Sequence, residues 1–237
     1  MKKLISLFIF LAMFSTVLNA KTKNTVRFFP VEHASFIIQD NEITIIVDPV
    51  GSLEKYTEFS NPDIILITHE HGDHFKMDLI NLLKTKKTEI IGPLSVIEKL
   101  GYGTILKNDE TKSVNSVNIE AIPMYNTTPE RLKFHKKGEG NGYLLTLNNQ
   151  RIYISGDTED IPEMRALKNI DHAFICMNLP YTMTPEQAAS AVIEMKPKNV
   201  YPYHLRSSGI NINETVDTFK KIVSADKKIN VIFLKWY

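Results

Sequence analysis

His69-Glu70-His71-Gly72-Asp73-His74 places three histidines and an aspartate within six positions. Imidazole and carboxylate are ligands suited to Zn²⁺, Mn²⁺ or Fe²⁺, and this spacing suits a pair of ions. In extended backbone His69 and His71 project to the same side and can meet one ion. Gly72 lets the chain turn sharply, after which Asp73 and His74 reach toward a second ion. Two ions about 3.5–4 Å apart can hold one hydroxide between them, because metal-bound water can have a pKa near ~7. A loop that needed only solvation would use Ser, Asn or Lys equally well. The chemistry implied is metal-assisted hydrolysis, with that hydroxide as nucleophile and Asp73 orienting it as well as binding metal.

Such a cluster needs strands to aim it and loops to gather at one edge. The run Ile64-Ile65-Leu66-Ile67 ahead of His69 reads as a buried strand, and an amphipathic helix is expected from about Asp73, with Phe75, Leu79, Leu82 and Leu83 on one face. Further strands are expected at 26–30, 35–39 and 43–47, with Asp40-Asn41 as a hairpin turn, and in the second half at 116–123, 142–147, 151–155, 173–177, 200–203 and 231–234. Leu94–Leu100 reads as a helix stopped by Gly101. Thr184-Pro185-Glu186-Gln187 is a capping-box start for a helix to about Met195, which Pro197 ends, and a last helix is expected over 213–223. Many short strands, split into two groups by helices, suggest an α+β chain folded as a four-layer αββα sandwich, and metal-ligand residues placed just past the strand ends, where loops gather on one edge, decide for it.

Other chemistry-bearing residues follow strand candidates: Asp48, Asn126, Asp157 and His204, with His33 and His135 in loops. Val47-Asp48-Pro49, Thr68 through His74, Phe134-His135 with Asn141-Gly142-Tyr143, Ser155-Gly156-Asp157-Thr158 and Tyr201-Pro202-Tyr203-His204 together resemble the metallo-β-lactamase superfamily. Within it, the chain looks like the metal-dependent hydrolases related to ascorbate-6-phosphate lactonase and N-acylphosphatidylethanolamine phospholipase D. The resemblance covers about Val26 to His204. It implies that His69, His71 and a third histidine hold one ion, that Asp73, His74 and His204 hold a second, and that Asp157 bridges them. His135 is the candidate for the third histidine; Asn126 or water completing a poorer site is the alternative. Asp48 would support the metal histidines from behind, as such outer partners fix an imidazole's tautomer, and His33-Ala34-Ser35 resembles a short motif that lines the site. Zinc is expected first for both ions, with manganese or iron as alternatives.

Lys2-Lys3, an apolar stretch from Leu4 to Leu18 and the small residue Ala20 read as a signal peptide over 1–20. The hydrolase domain is then expected over 21–237, in the periplasm or secreted, with no stable membrane insertion after cleavage. A net charge of +1 over 237 residues speaks against a protein living on nucleic acid and leaves a small-molecule substrate. Cys176, the single cysteine, offers no intrachain disulfide. Arg131, Lys133, Lys136 and Lys137 could meet an anionic substrate or be solvated surface charge. Tyr181, Thr182, Met183 and the stretch Arg206-Ser207-Ser208 are expected near the pocket. The bond cleaved is left among ester, lactone, amide and phosphodiester, and the rival from another class is a non-catalytic metal-binding or sensory module of the same fold.

Overall fold

The computed structural model describes residues 25–205 and 211–236. Its first sheet takes β1 (Arg27–Glu32), β2 (Ser35–Gln39), β3 (Thr44–Val47), β4 (Ile64–Leu66), β5 (Glu89–Gly92) and β6 (Thr104–Ile105) side by side in chain order. Pairing is antiparallel as far as β3 and parallel from there on. The second sheet repeats this plan with β7 (Thr111–Val114), β8 (Val117–Met124), β9 (Gly140–Leu147), β10 (Gln150–Ile154), β11 (His172–Cys176), β12 (Asn199–Tyr203) and β13 (Asn230–Val231). It is antiparallel to β10 and parallel beyond.

Because side chains alternate across a strand, one sheet feeds two cores. Phe36, Ile38, Ile45, Val47, Ile64 and Leu66 enter the core shared with the second sheet. Their neighbours Ile37, Ile46, Ile65 and Ile67 face outward into a separate core with α1 (Met77–Leu83) and α2 (Leu94–Leu100). Strands apolar on both faces, as these are, are what a sheet covered on both sides requires. The second sheet is covered by α4 (Pro185–Met195) and α5 (Ile212–Val223), with the short α3 (Pro162–Ala166) beside them. The result is the four-layer αββα sandwich. The Thr184–Gln187 capping box forms as expected, and Gly101 closes α2 in the left-handed region at φ 80°. At the hairpin turn, Asp40 Oδ1 accepts the N–H groups of Glu42 and Ile43, each at 2.7 Å.

The helix expected from Asp73 begins instead at Met77. His71 O receives the N–H of both His74 and Phe75 at 2.9 Å, a single turn, and Lys76 is then extended with φ −126° and ψ 97°. Asp73 and His74 thus lie in a turn rather than in a helix. The later start places Leu79, Ile80 and Leu83 on the buried face and leaves Leu82 66% exposed. The strands β5, β6 and β7 and the helix α3 escape the sequence reading because each is short. β7, Thr-Lys-Ser-Val on a sheet edge, shows no apolar alternation strong enough to register. The last strand spans two residues where four were expected. Residues 1–20 and Arg206-Ser207-Ser208 lie outside the described residues. Cys176 is buried in the core. Among the described residues, no helix is long and apolar enough to cross a membrane.

Candidate metal centre

β4 ends at Leu66, but the chain continues extended to His69, held on both sides by hydrogen bonds from the two sheets. Ile67 N donates to Ile91 O at 2.9 Å, Asn141 N to Thr68 O at 2.8 Å, and Tyr143 Oη to Ile67 O at 2.7 Å. The second sheet thereby grips the strand end that delivers His69. Asp48 directly follows β3, the neighbouring strand. One of its oxygens accepts Thr68 N at 2.7 Å; the other accepts Thr68 Oγ1 at 2.7 Å and contacts His74 Nδ1 at 2.7 Å. A carboxylate on Nδ1 directs Nε2 outward as a ligand. The sequence reading gave Thr68 no role of its own. It is fully buried, and its hydroxyl also lies 3.0 Å from His69 Nδ1 and 3.3 Å from His74 Nδ1. Its place directly ahead of His69 was the available signal.

The ends of β10 and β12 bring Asp157 and His204 to the same rim, and the loop between β8 and β9 brings His135. Among the described residues the donors form three overlapping groups, His69 with His71 and His135, His33 with Asp73 and His204, and His69 with His74 and Asp157; on the distances they divide into two sets with Asp157 between. His69, His71 and His135 form one, with His69 Nε2 3.1 Å from His71 Nδ1. In the other, His74 Nε2 is 2.9 Å from His204 Nε2, and Asp73 Oδ2 is 3.5 Å from His204 Nε2. Asp157 stands between them: Oδ2 is 3.4 Å from His135 Nε2, whereas Oδ1 is 3.4 Å from His74 Nε2 and 3.7 Å from His204 Nε2. His33 joins the second set through Asp73, with Nε2 to Oδ2 at 3.1 Å. Donors on arms of about 2.0–2.1 Å at tetrahedral angles sit about 3.3 Å apart, and the spacings here bracket that value.

Asn126, the alternative third donor, lies behind His135. Its amide nitrogen is 2.7 Å from Tyr181 O and 3.0 Å from Arg131 O, and these two carbonyls can take both of its hydrogens. Its backbone N–H donates to His135 O at 2.9 Å, fixing where His135 begins. His172 lies away from the cluster, against Tyr201 Oη at 3.0 Å and Gln150 Oε1 at 2.8 Å.

Electrostatics at every one of these groups except His74 suits cations. Burial, with His74 close by, pushes the pKa of His69 well down, and burial also lowers His135 and His204, so these rings are neutral with lone pairs to give. Burial opposes ionisation of Asp157, but His204 and His74 outweigh it and hold the carboxyl well below its usual range. For Asp73, burial is likewise overcome, by His204 and His33. His74 moves the other way: burial disfavours its charge, yet Asp157 and Asp48 raise its pKa. Among the described residues, buried His135 Nε2 and Asp157 Oδ1 have no hydrogen-bond partner. Polar atoms left bare in a protein interior are costly, and a divalent cation satisfies both. The donor set therefore fits divalent metal.

Two cavities of about 280 Å³ each flank the cluster. One is lined by His69, His71, Ser95, Met124, Lys136 and Glu139, among others; the second by Asp73, Asp157, Phe134, Asn178 and Tyr181 with His71 and His135. Of the loop cations, Arg131 is tied to buried Glu159 at 2.6 Å, Lys136 to Glu139 at 3.5 Å and Lys137 to Glu163 at 2.9 Å. Lys133 Nζ stands 5.0 Å above the Phe134 ring centre.

Comparison with known proteins agrees with this fold. The family model described as the beta-lactamase superfamily domain matches residues 27–204. The UPF0173 metal-dependent hydrolase of Thermococcus onnurineus is 31% identical over 89% of this chain and 96% of its own length. A solved structure from Parabacteroides distasonis is 42% identical, covers 90% of this chain and all of its own, and superposes with a TM-score of 0.78. The metallo-beta-lactamase fold protein YhfI of Bacillus subtilis, 16% identical, shares the fold over 87% of this chain and 91% of its own, with a TM-score of 0.66. With the family model spanning most of the chain, and with a relative above 30% identity matched almost end to end, this protein belongs to the beta-lactamase superfamily.

Proposed function

We propose that this metal-dependent hydrolase works with two divalent ions, zinc in both sites, and cleaves a neutral ester, lactone or amide outside the cytoplasm. The observation that carries the binuclear reading is Asp157, whose two carboxylate oxygens each face a different set of donors. His69, His71 and His135 would hold one ion, and Asp73, His74 and His204 the other. When bound, such ions supply Lewis acidity and a water acidified toward neutral pH.

The chain's own residues do the rest. Asp48 and Thr68 lock the His74 and His69 rings from behind. His33 braces Asp73 at Oδ2, and the Asp73 side chain, 48% exposed, borders the second cavity. There it accepts a hydrogen bond from the attacking water and orients it. Neutral substrates are favoured by the charge pattern. An enzyme reading a phosphodiester profits from an uncommitted arginine fork; among the described residues of the loop that carries His135, the arginine, Arg131, is spent on Glu159. Lys136, which lines the first cavity, is shared with Glu139. Export rests on the signal-peptide pattern of residues 1–20.

The test is metal analysis of the purified mature chain together with hydrolysis of a lactone, a p-nitrophenyl ester and bis-p-nitrophenyl phosphate. Two equivalents of zinc, with turnover of the first two substrates lost in His71→Ala and Asp73→Ala, is the expected outcome. Preferential turnover of the phosphodiester would overturn the substrate class. Tight metal without turnover of any of the three would favour a sensory module.

A further inference from the structure

Phe134 lines both cavities, and Tyr181 lines the one beside Asp73 and Asp157. Their rings meet edge to face, with centroids 4.9 Å apart at 83°. They come from different loops: Phe134 from the segment that delivers His135, and Tyr181 from the connection between β11 and α4. Asn126 joins those loops through Arg131 O and Tyr181 O. Arg131 extends the brace to α4 at Gln187 Oε1, 3.1 Å away, while Tyr181 N closes its own turn onto Asn178 O at 2.8 Å. Cross-braced in this way, the aromatic pair is a preformed wall. Tyr181 is nevertheless 41% exposed, and Leu132 on the same loop as Phe134 is 47% exposed. Apolar surface held rigidly at the mouth of a polar centre is what binding sites for largely apolar ligands present.

We infer that the Phe134–Tyr181 pair is a specificity subsite for a flat, uncharged apolar substituent carried on the carbonyl held over the metal cluster. The inference rests on the binuclear acyl-hydrolase reading above and adds the substrate's shape to it. Phe134 adjoins His135 in the chain, and the second cavity runs from Asp157 to Tyr181. A substituent attached directly to the held carbonyl therefore enters between cluster and wall. An aromatic ring gains edge or offset contact there beyond simple burial, whereas a methyl group is too small to reach it. Buried Asn178 lines the same cavity.

Benzohydroxamate and acetohydroxamate share one metal-chelating group and differ in the substituent, so their affinities for the zinc-loaded full chain, measured by calorimetry, isolate the wall. Benzohydroxamate should bind about 3- to 10-fold tighter to the native protein, the range expected for one good aromatic contact. Tyr181→Phe should keep that preference. Tyr181→Ser should lose it while retaining the metal content and the acetohydroxamate affinity of the native chain, and Phe134→Leu should reduce it by a route independent of Tyr181. Equal binding of the two probes to the native protein, or a preference untouched in both Tyr181→Ser and Phe134→Leu, would overturn the subsite while leaving the binuclear reading intact. A native chain that takes up no zinc and binds neither probe would defeat the binuclear reading itself.

Discussion

His33, Asp48 and His204 are held at φ of 56°, 44° and 52°, a left-handed conformation that costs a residue other than glycine about 1–3 kcal/mol. All three lie in the centre or against it, so local conformational energy has been given up to aim side chains. The return is visible at Asp48, which fixes both Thr68 and His74. Replacing Asp48 by Asn keeps the shape but removes the charge that sets His74's tautomer. Metal affinity of the second site should then fall about 10- to 100-fold, measured by competition against a chromophoric chelator. His135→Ala should lower bound metal from two equivalents toward one, with the loss confined to the first site; unchanged stoichiometry would remove His135 from the donor set. The six-residue histidine cluster was legible in sequence because such a density of metal-ligand side chains has no cheaper explanation. Thr68 was not, since a threonine beside a histidine carries no chemical signature until its hydroxyl is seen among three partners.

At the scale of elements, the turn after β10 works in two directions. Asp157 faces the donors, and Glu159, two residues on, points into the loop that carries His135. There its carboxylate accepts Thr127 N and Thr128 N, each at 2.6 Å, both threonine hydroxyls, and Arg131 at 2.6 Å. Burial would raise this carboxyl, but the hydrogen bonds from Thr128 and Thr127 and the Arg131 pairing outweigh it and bring it from 4.5 to about 2. Removing one partner of a buried, hydrogen-bonded charge pair costs about 3–5 kcal/mol, so Glu159→Gln should destabilise the chain by about 3 kcal/mol at neutral pH. Because the folded pKa is depressed, this stabilisation is complete above about 4.5 and disappears as pH falls toward 2. The gap between native and variant in denaturant unfolding should narrow over that window, and a gap independent of pH would refute the assignment. The sequence carries no signal for this glutamate, because its five donors come from a segment about thirty residues earlier.

For the whole molecule, the centre is a seam between two sheets. β3 and β4 of the first sheet supply Asp48 and the histidine cluster, whereas β10 and β12 of the second supply Asp157 and His204. Neither sheet holds a full donor set, so bound metal would tie the halves of the sandwich together. Stripping the protein with a chelator should lower its thermal midpoint, and returning zinc at about 100 times its dissociation constant should restore about 2.7 kcal/mol per site, read by calorimetry. The absence of any shift would mean that the donors do not bind metal across the seam. The sequence by itself determined the layers and the chemistry. Strands apolar on both faces must be covered on both sides, capping and glycine signals bound α2 and α4, and imidazoles with carboxylates at strand ends call for cations. Tertiary structure alone decided that Asp73 and His74 sit in a turn before α1, that His135 rather than Asn126 meets Asp157, and that the loop arginine is committed to Glu159. Each of those outcomes depends on contacts between residues distant in the chain, where local propensity has no hold and only the packing of one sheet against the other brings the partners within reach.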